Sequence, residues 1–62
     1  MTNKQFDRYK HFSQQAAIAE RKEAWQEACN LWTKAQQVAA GKNEEWCRNR
    51  ADFCDRMAER QK

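Results

Sequence analysis

Trp25-Gln26-Glu27-Ala28-Cys29-Asn30-Leu31-Trp32-Thr33-Lys34-Ala35, followed by Trp46-Cys47-Arg48-Asn49-Arg50-Ala51-Asp52-Phe53-Cys54, is the stretch whose reading decides the fold. Trp25, Ala28, Trp32 and Ala35 recur at helical steps, and Trp46, Cys47, Arg50, Ala51, Phe53 and Cys54 repeat the alternation of large and small side chains. Tryptophans are costly to leave in water, and alanines facing them make room for a neighbour. The pattern predicts helices docked closely on one another.

The segment around Trp32 has a wide apolar arc. Ala24, Trp25, Ala28, Cys29, Leu31, Trp32, Ala35, Val38 and Ala39 cover roughly half of the circumference, where an ordinary surface helix shows a stripe of ~100°. Gln26, Asn30, Thr33, Lys34 and Gln37 fill the other half. A helix apolar over that arc touches two neighbours, so it is expected in the middle. On the third segment Trp46, Cys47, Phe53, Cys54, Met57 and Ala58 form the apolar side, against a solvated mixture of Glu45, Arg48, Asn49, Asp52, Asp55, Arg56 and Glu59. Arg50 falls inside the apolar arc. It either snorkels along the core edge or pairs with an acid from another helix or a partner. On the first segment Phe6, Tyr9, Phe12, Ser13 and Ala16 share a face, and Ile18 lies on the opposite side.

The expected helices span about residues 3–20, 23–40 and 44–60. Asn3 is the expected N-cap of the first, Gly41 the left-handed C-cap of the second, and Asn43 the N-cap of the third, with Glu44 and Glu45 in its first turn. Arg21-Lys22-Glu23 contains neither glycine nor proline. The turn there is inferred from register, because one straight stripe cannot hold both the Phe6–Ala16 face and Trp25, Ala28 and Trp32. The fold class is all-α, a single domain over residues 1–62. Its three-helix open array resembles one and a half tetratricopeptide-like helical hairpins.

With 62 residues, no proline and one glycine, the composition favours helix. A chain of this size buries only ~60% of its unfolded surface, so a partner or a second copy often completes its core. The net charge is +3. Its acids and bases interleave along the third segment, and no unopposed basic stripe is expected on any face. Nor is the second helix the exposed basic one that a helix-turn-helix needs, so direct DNA binding is not expected. No run of apolar residues is long enough to cross a membrane. No apolar signal segment follows Met1, and the cysteines Cys29, Cys47 and Cys54 are odd in number, which suits free thiols in a cytoplasmic protein. Cys47 and Cys54 lie seven apart, unlike the closer pairs of metal sites, so no metal or other cofactor is expected. His11 stands alone among polar and aromatic neighbours. There is no Gly-rich phosphate loop and no H-E-x-x-H, so no catalytic residue is assigned and no enzymatic activity is expected.

An open array leaves the outer flanks of its first and third helices uncovered, and uncovered apolar groups bind. The candidate partner-binding residues are Ile18, Phe6, Tyr9, Phe12, Arg50, Phe53 and Met57.

Taken as an ordered set, Ala16-Ala17-x2-Glu20, Trp25-x2-Ala28-x2-Leu31-Trp32-x2-Ala35 and Asn43-x2-Trp46-Cys47-x2-Arg50-Ala51-x-Phe53-Cys54 resemble the AraC negative regulator (ANR) family of enteric and related bacteria. The match covers about residues 12–56. The family commonly has a glycine-bearing turn before the aromatic matched by Trp25, where this chain has Lys22-Glu23-Ala24. The resemblance implies a cytoplasmic regulator that binds an AraC/XylS-type activator of virulence genes and opposes its dimerisation or DNA binding. The PerC-like activators share the Ala/Trp style, and they imply the alternative of a small regulator that binds nucleic acid directly. The resemblance supplies no catalytic residue and no contact map.

Overall fold

Asp7 opens the first helix. In this computed structural model, which describes residues 7–61, Asp7 is extended (φ −90°, ψ 95°) and its carboxylate accepts the Lys10 N–H at 3.1 Å. That side-chain acceptor satisfies one of the orphan donors of the first turn and starts α1 (Arg8–Arg21). The helix therefore begins five residues after the expected position, and Asn3 and Phe6 lie outside the described residues. The chain continues as α2 (Trp25–Val38) and α3 (Lys42–Arg60), and no strand occurs among the described residues.

The turn expected between the first two helices is present, and its chemistry is unusual. Glu23 N–H bonds to Glu20 O at 2.9 Å and Ala24 N–H reaches back to Ala19 O at 2.9 Å. This pair of bonds is the Schellman closure, which normally places glycine at the left-handed position. Here Glu23 holds it, at φ +61°. A residue with a Cβ loses about 1–2 kcal/mol in that conformation. Glu23→Gly is therefore expected to stabilise the fold by about 1 kcal/mol, after the glycine's larger unfolded-state entropy is subtracted. That corresponds to a rise in Tm of about 4–8 °C for a domain of this size, readable by circular dichroism. An unchanged or lower Tm would mean that the Glu23 side chain has an attractive partner in the folded state.

The second turn differs from expectation. Helix α2 ends at Val38, with Ala39 extended at ψ 167°, so Gly41 does not cap it. Gly41 is instead the N-cap of α3, at φ +61°, ψ −135°, a region that is open to glycine and strained for other residues. Its carbonyl accepts the Glu44 N–H at 3.1 Å. Asn43 sits inside the first turn rather than at the cap. Glu44 and Glu45 occupy that turn as expected, facing the positive end of the helix dipole.

Helix α2 is the central layer, packing along α1 on one side and α3 on the other. The interfaces are built from small groups. Ala16 and Ala19 of α1, Ala28 and Ala35 of α2, and Cys47, Ala51 and Cys54 of α3 are all buried, with Trp32 the one large side chain among them. On α3 the buried row is Cys47, Ala51, Cys54 and Ala58, a four-three-four spacing that keeps one narrow face on α2. Tyr9, Phe12, Trp25 and Leu31 pack on the rim of this core. The apolar arcs are less buried than the sequence implies: Val38, Trp46 and Phe53, all expected on apolar faces, remain about half exposed.

Candidate functional site

The face of the array that carries the most chemistry centres on Glu20. It lies in the last turn of α1, and its carboxylate reaches over Trp32 to α3. Trp32 Nε1 donates to Glu20 Oε2 at 2.6 Å, Arg50 Nε donates to the same oxygen at 3.2 Å, and Cys54 Sγ lies 3.3 Å from it. Arg50 Nη2 donates to Glu20 Oε1 at 2.5 Å, which completes a two-pronged ion pair. One carboxylate thus ties all three helices together. Of the two readings open for Arg50, pairing with an acid of another helix is the one observed.

Burial alone raises the Glu20 pKa. The hydrogen bonds from Arg50, Trp32 and Cys54, with the charge of Arg50, outweigh it and hold the carboxyl below its ordinary value of 4.5. The same contact acts oppositely on its neighbour. Burial first, then the hydrogen bond to Glu20 and the charge of Glu20, push the Cys54 thiol up to about 12. Burial likewise raises Cys47, partly offset by its hydrogen bond with Tyr9, and raises Cys29, with Asp55 and Asp52 adding to the effect.

The thiols therefore behave as small hydrophobes. At pH 7 a thiol titrating near 12 is ionised in only about one molecule in 10⁵. Alkylation of the folded protein is expected to modify the half-buried Cys29 first, leaving Cys47 and Cys54 protected until denaturant is added. A chelator is expected to leave the melting temperature unchanged. Rapid modification of Cys54 at neutral pH, or chelator-induced unfolding, would contradict this picture. Because the folded pKa of Cys54 lies above the unfolded value of 9.0, its contribution to stability is full below pH 9 and is lost as pH rises towards 12.

Arg50 is framed by aromatic rings from its own helix. Its guanidinium carbon lies 4.7 Å from the Phe53 ring centre and 5.8 Å from that of Trp46. Those rings also meet α2 edge-on, Phe53 against Trp25 at 5.8 Å and Trp46 against Trp32 at 6.4 Å. Even so, Trp46 is 52% exposed and Phe53 39% exposed. Trp46, Arg50, Phe53 and Met57 thus form a second four-three-four row on α3, beside the buried row of small residues.

The candidate residues from sequence divide into three groups. Arg50, Phe53 and Met57 share this row. Tyr9 and Phe12 pack against the core, and the Tyr9 hydroxyl pairs with Cys47. Ile18 is 39% exposed, but at about 100° per residue it lies on the far side of α1 from Glu20, away from the α3 row. Phe6 lies outside the described residues. Glu20 and Trp46 were not among the candidates. Among the described residues, the open depression between Thr33, Gln36, Gln37, Ala39 and Glu44 contains no convergent set of reactive groups. No helix there is long and apolar enough to cross a membrane.

No family model matches the chain, and no solved structure matches it. A protein of known sequence does: an uncharacterized protein in the Mu-like prophage FluMu region of Haemophilus influenzae, 38% identical over 55 residues that span 89% of this chain and 75% of the relative. The chain belongs to the same family as that Mu-like prophage protein.

Proposed function

We propose that this chain is a small cytoplasmic anti-activator, a negative regulator that binds an AraC/XylS-type transcriptional activator and blocks its dimerisation or DNA binding. The observation that carries the protein-contact part is the exposure of Trp46 and Phe53 on one face of α3, around an arginine already held in place. Large aromatic groups left in water on a rigid helix suit docking of a partner helix. The choice of an activator as partner rests on the resemblance to the ANR family. No part of this reading requires a catalytic group, and the Glu20 network is spent on joining the helices.

The test is capture of a purified AraC-type activator on the immobilised chain, with a DNA gel shift of the chain alone. Wild type should retain the activator and leave DNA unshifted. Ile18→Asp, exposed on the far side of α1 from Trp46 and Phe53, should keep both the helicity and the capture of the wild type. Specific DNA binding with no activator present would overturn the anti-activator reading in favour of a nucleic-acid-binding regulator.

A further inference from the structure

We infer that the row Trp46, Arg50, Phe53 and Met57 is a docking strip for an acidic amphipathic helix of another protein. The inference rests on the reading of this chain as a protein-binding module, and it names where and what it binds.

Apart from Arg48, which lies among the acids, charge on α3 is sorted around the helix, although it is mixed along the sequence. At about 100° per residue, Lys42, Arg56 and Arg60 all lie within about 90° of the middle of the aromatic row. Glu44, Glu45, Asp52, Asp55 and Glu59 all lie more than about 100° away from it. The three flanking cations are exposed. Across the face, Glu20 of α1 is already paired with Arg50. The exposed aromatic strip thus has a positive border on α3.

The centre of the strip is prepared for a carboxylate. Arg50 uses Nε and Nη2 on Glu20, and its Nη1 has no hydrogen-bond partner among the described residues. Its geometry is fixed before any partner arrives, so little side-chain entropy is lost on binding. Tryptophan, arginine and an aromatic ring in one semi-exposed cluster is the composition of interface hot spots. The four-three-four spacing matches the repeat of a helix laid alongside α3.

Other occupants fit less well. A second copy packed strip to strip would lay the positive border of one copy, Lys42, Arg56 and Arg60, along that of the other. The other exposed aliphatic residue of α1, Ile18, is surrounded by Arg21 and Lys22 rather than by acids. Single-stranded nucleic acid would use the positive border, but bases need open ring faces. Here the guanidinium of Arg50 lies over Phe53, and Trp46 and Phe53 already meet rings of α2 edge-on.

The probe is a labelled synthetic helix of about 20 residues, with leucines at four-three-four spacing bordered by glutamates. Its twin carries lysine in place of every glutamate. The glutamate peptide should bind, with the lysine peptide weaker by about tenfold or more. Trp46→Ser, and separately Arg56→Glu with Arg60→Glu, should each weaken the glutamate peptide by about tenfold. Arg48→Glu, on the opposite side of α3, should not. The charge variants lie outside the core, so they report binding even if Trp46→Ser loosens the fold. Equal affinity for both peptides, indifference to these variants, tighter binding of a single-stranded oligonucleotide, or a dimer in sedimentation that Trp46→Ser abolishes would each overturn the inference. Activator capture that survives all these variants would overturn it while leaving the proposed function standing. Peptide binding without activator capture would do the reverse.

Discussion

Trp32→Ala is expected to cost about 3–5 kcal/mol, the range for deleting a large aromatic side chain from a packed core. A domain of this length holds only about 3–9 kcal/mol in total. The variant should therefore be largely unfolded at 37 °C, with a large loss of helical circular dichroism. Trp32 is the one bulky member of a core otherwise made of alanines and cysteines. Its ring touches Trp46 of α3 and its Nε1–H holds Glu20 of α1. Removing it leaves a void at the junction of all three helices that alanine-sized neighbours cannot fill. It also takes one of the donors from a carboxylate that is held below its ordinary pKa. By contrast Trp46→Ala, at a half-exposed ring, should cost well under half as much. Comparable losses for the two would mean that Trp46 is as much a core residue as Trp32.

The central position of α2 was legible because its alanines and tryptophans occupy too much of the helix for one neighbour. Ala28, Trp32 and Ala35 are buried accordingly. The turn at residues 22–24 was legible only from register. Nothing in Lys22-Glu23-Ala24 announces a left-handed residue, and the structure places an unfavourable glutamate there. Gly41 serves α3 rather than α2 for a related reason. A glycine after an apolar run suits a C-cap or the N-cap of the next helix, and the extended Ala39 decides between them.

Apolarity and burial also parted on α3. The sequence marks Trp46, Cys47, Phe53 and Cys54 as one broad apolar side. The backbone packs only the small half of it, because a helix faces a single neighbour over a limited angle. The charge sorting around α3 was hidden for the opposite reason: acids and bases alternate along the chain, and only the helical wheel separates them. Glu20 could have been found. Trp32 and Arg50 both sit in apolar arcs with polar groups that need acceptors, and Glu20 is the carboxylate one residue after Ala19 and four after Ala16 on α1. What sequence could not supply was the alignment of α1 and α3 that lets a single acid answer both.

Glu20→Ala is the second large effect expected. It leaves Trp32 Nε1, Cys54 Sγ and the Arg50 guanidinium without their shared acceptor. Breaking a fully buried ion pair by removing one partner costs about 3–5 kcal/mol. Here the side chains of Glu20 and Arg50 are 17% and 29% exposed, so water can reach the orphaned guanidinium and about 2–3 kcal/mol is expected. Glu20→Gln keeps the shape and one acceptor oxygen but loses the charge, so it should fall between Glu20→Ala and wild type. The pH dependence separates a charge effect from packing. The folded pKa of Glu20 lies below its unfolded value of 4.5. Its contribution to stability is therefore fully present above that value and is lost as pH falls through the folded pKa. Wild type should lose this increment on acidification, whereas Glu20→Gln, already without it at pH 7, should show a shallower decline and approach wild type in strong acid. Parallel curves for the two proteins across that range would show that the carboxylate charge contributes nothing and that Glu20 acts only by filling space above Trp32.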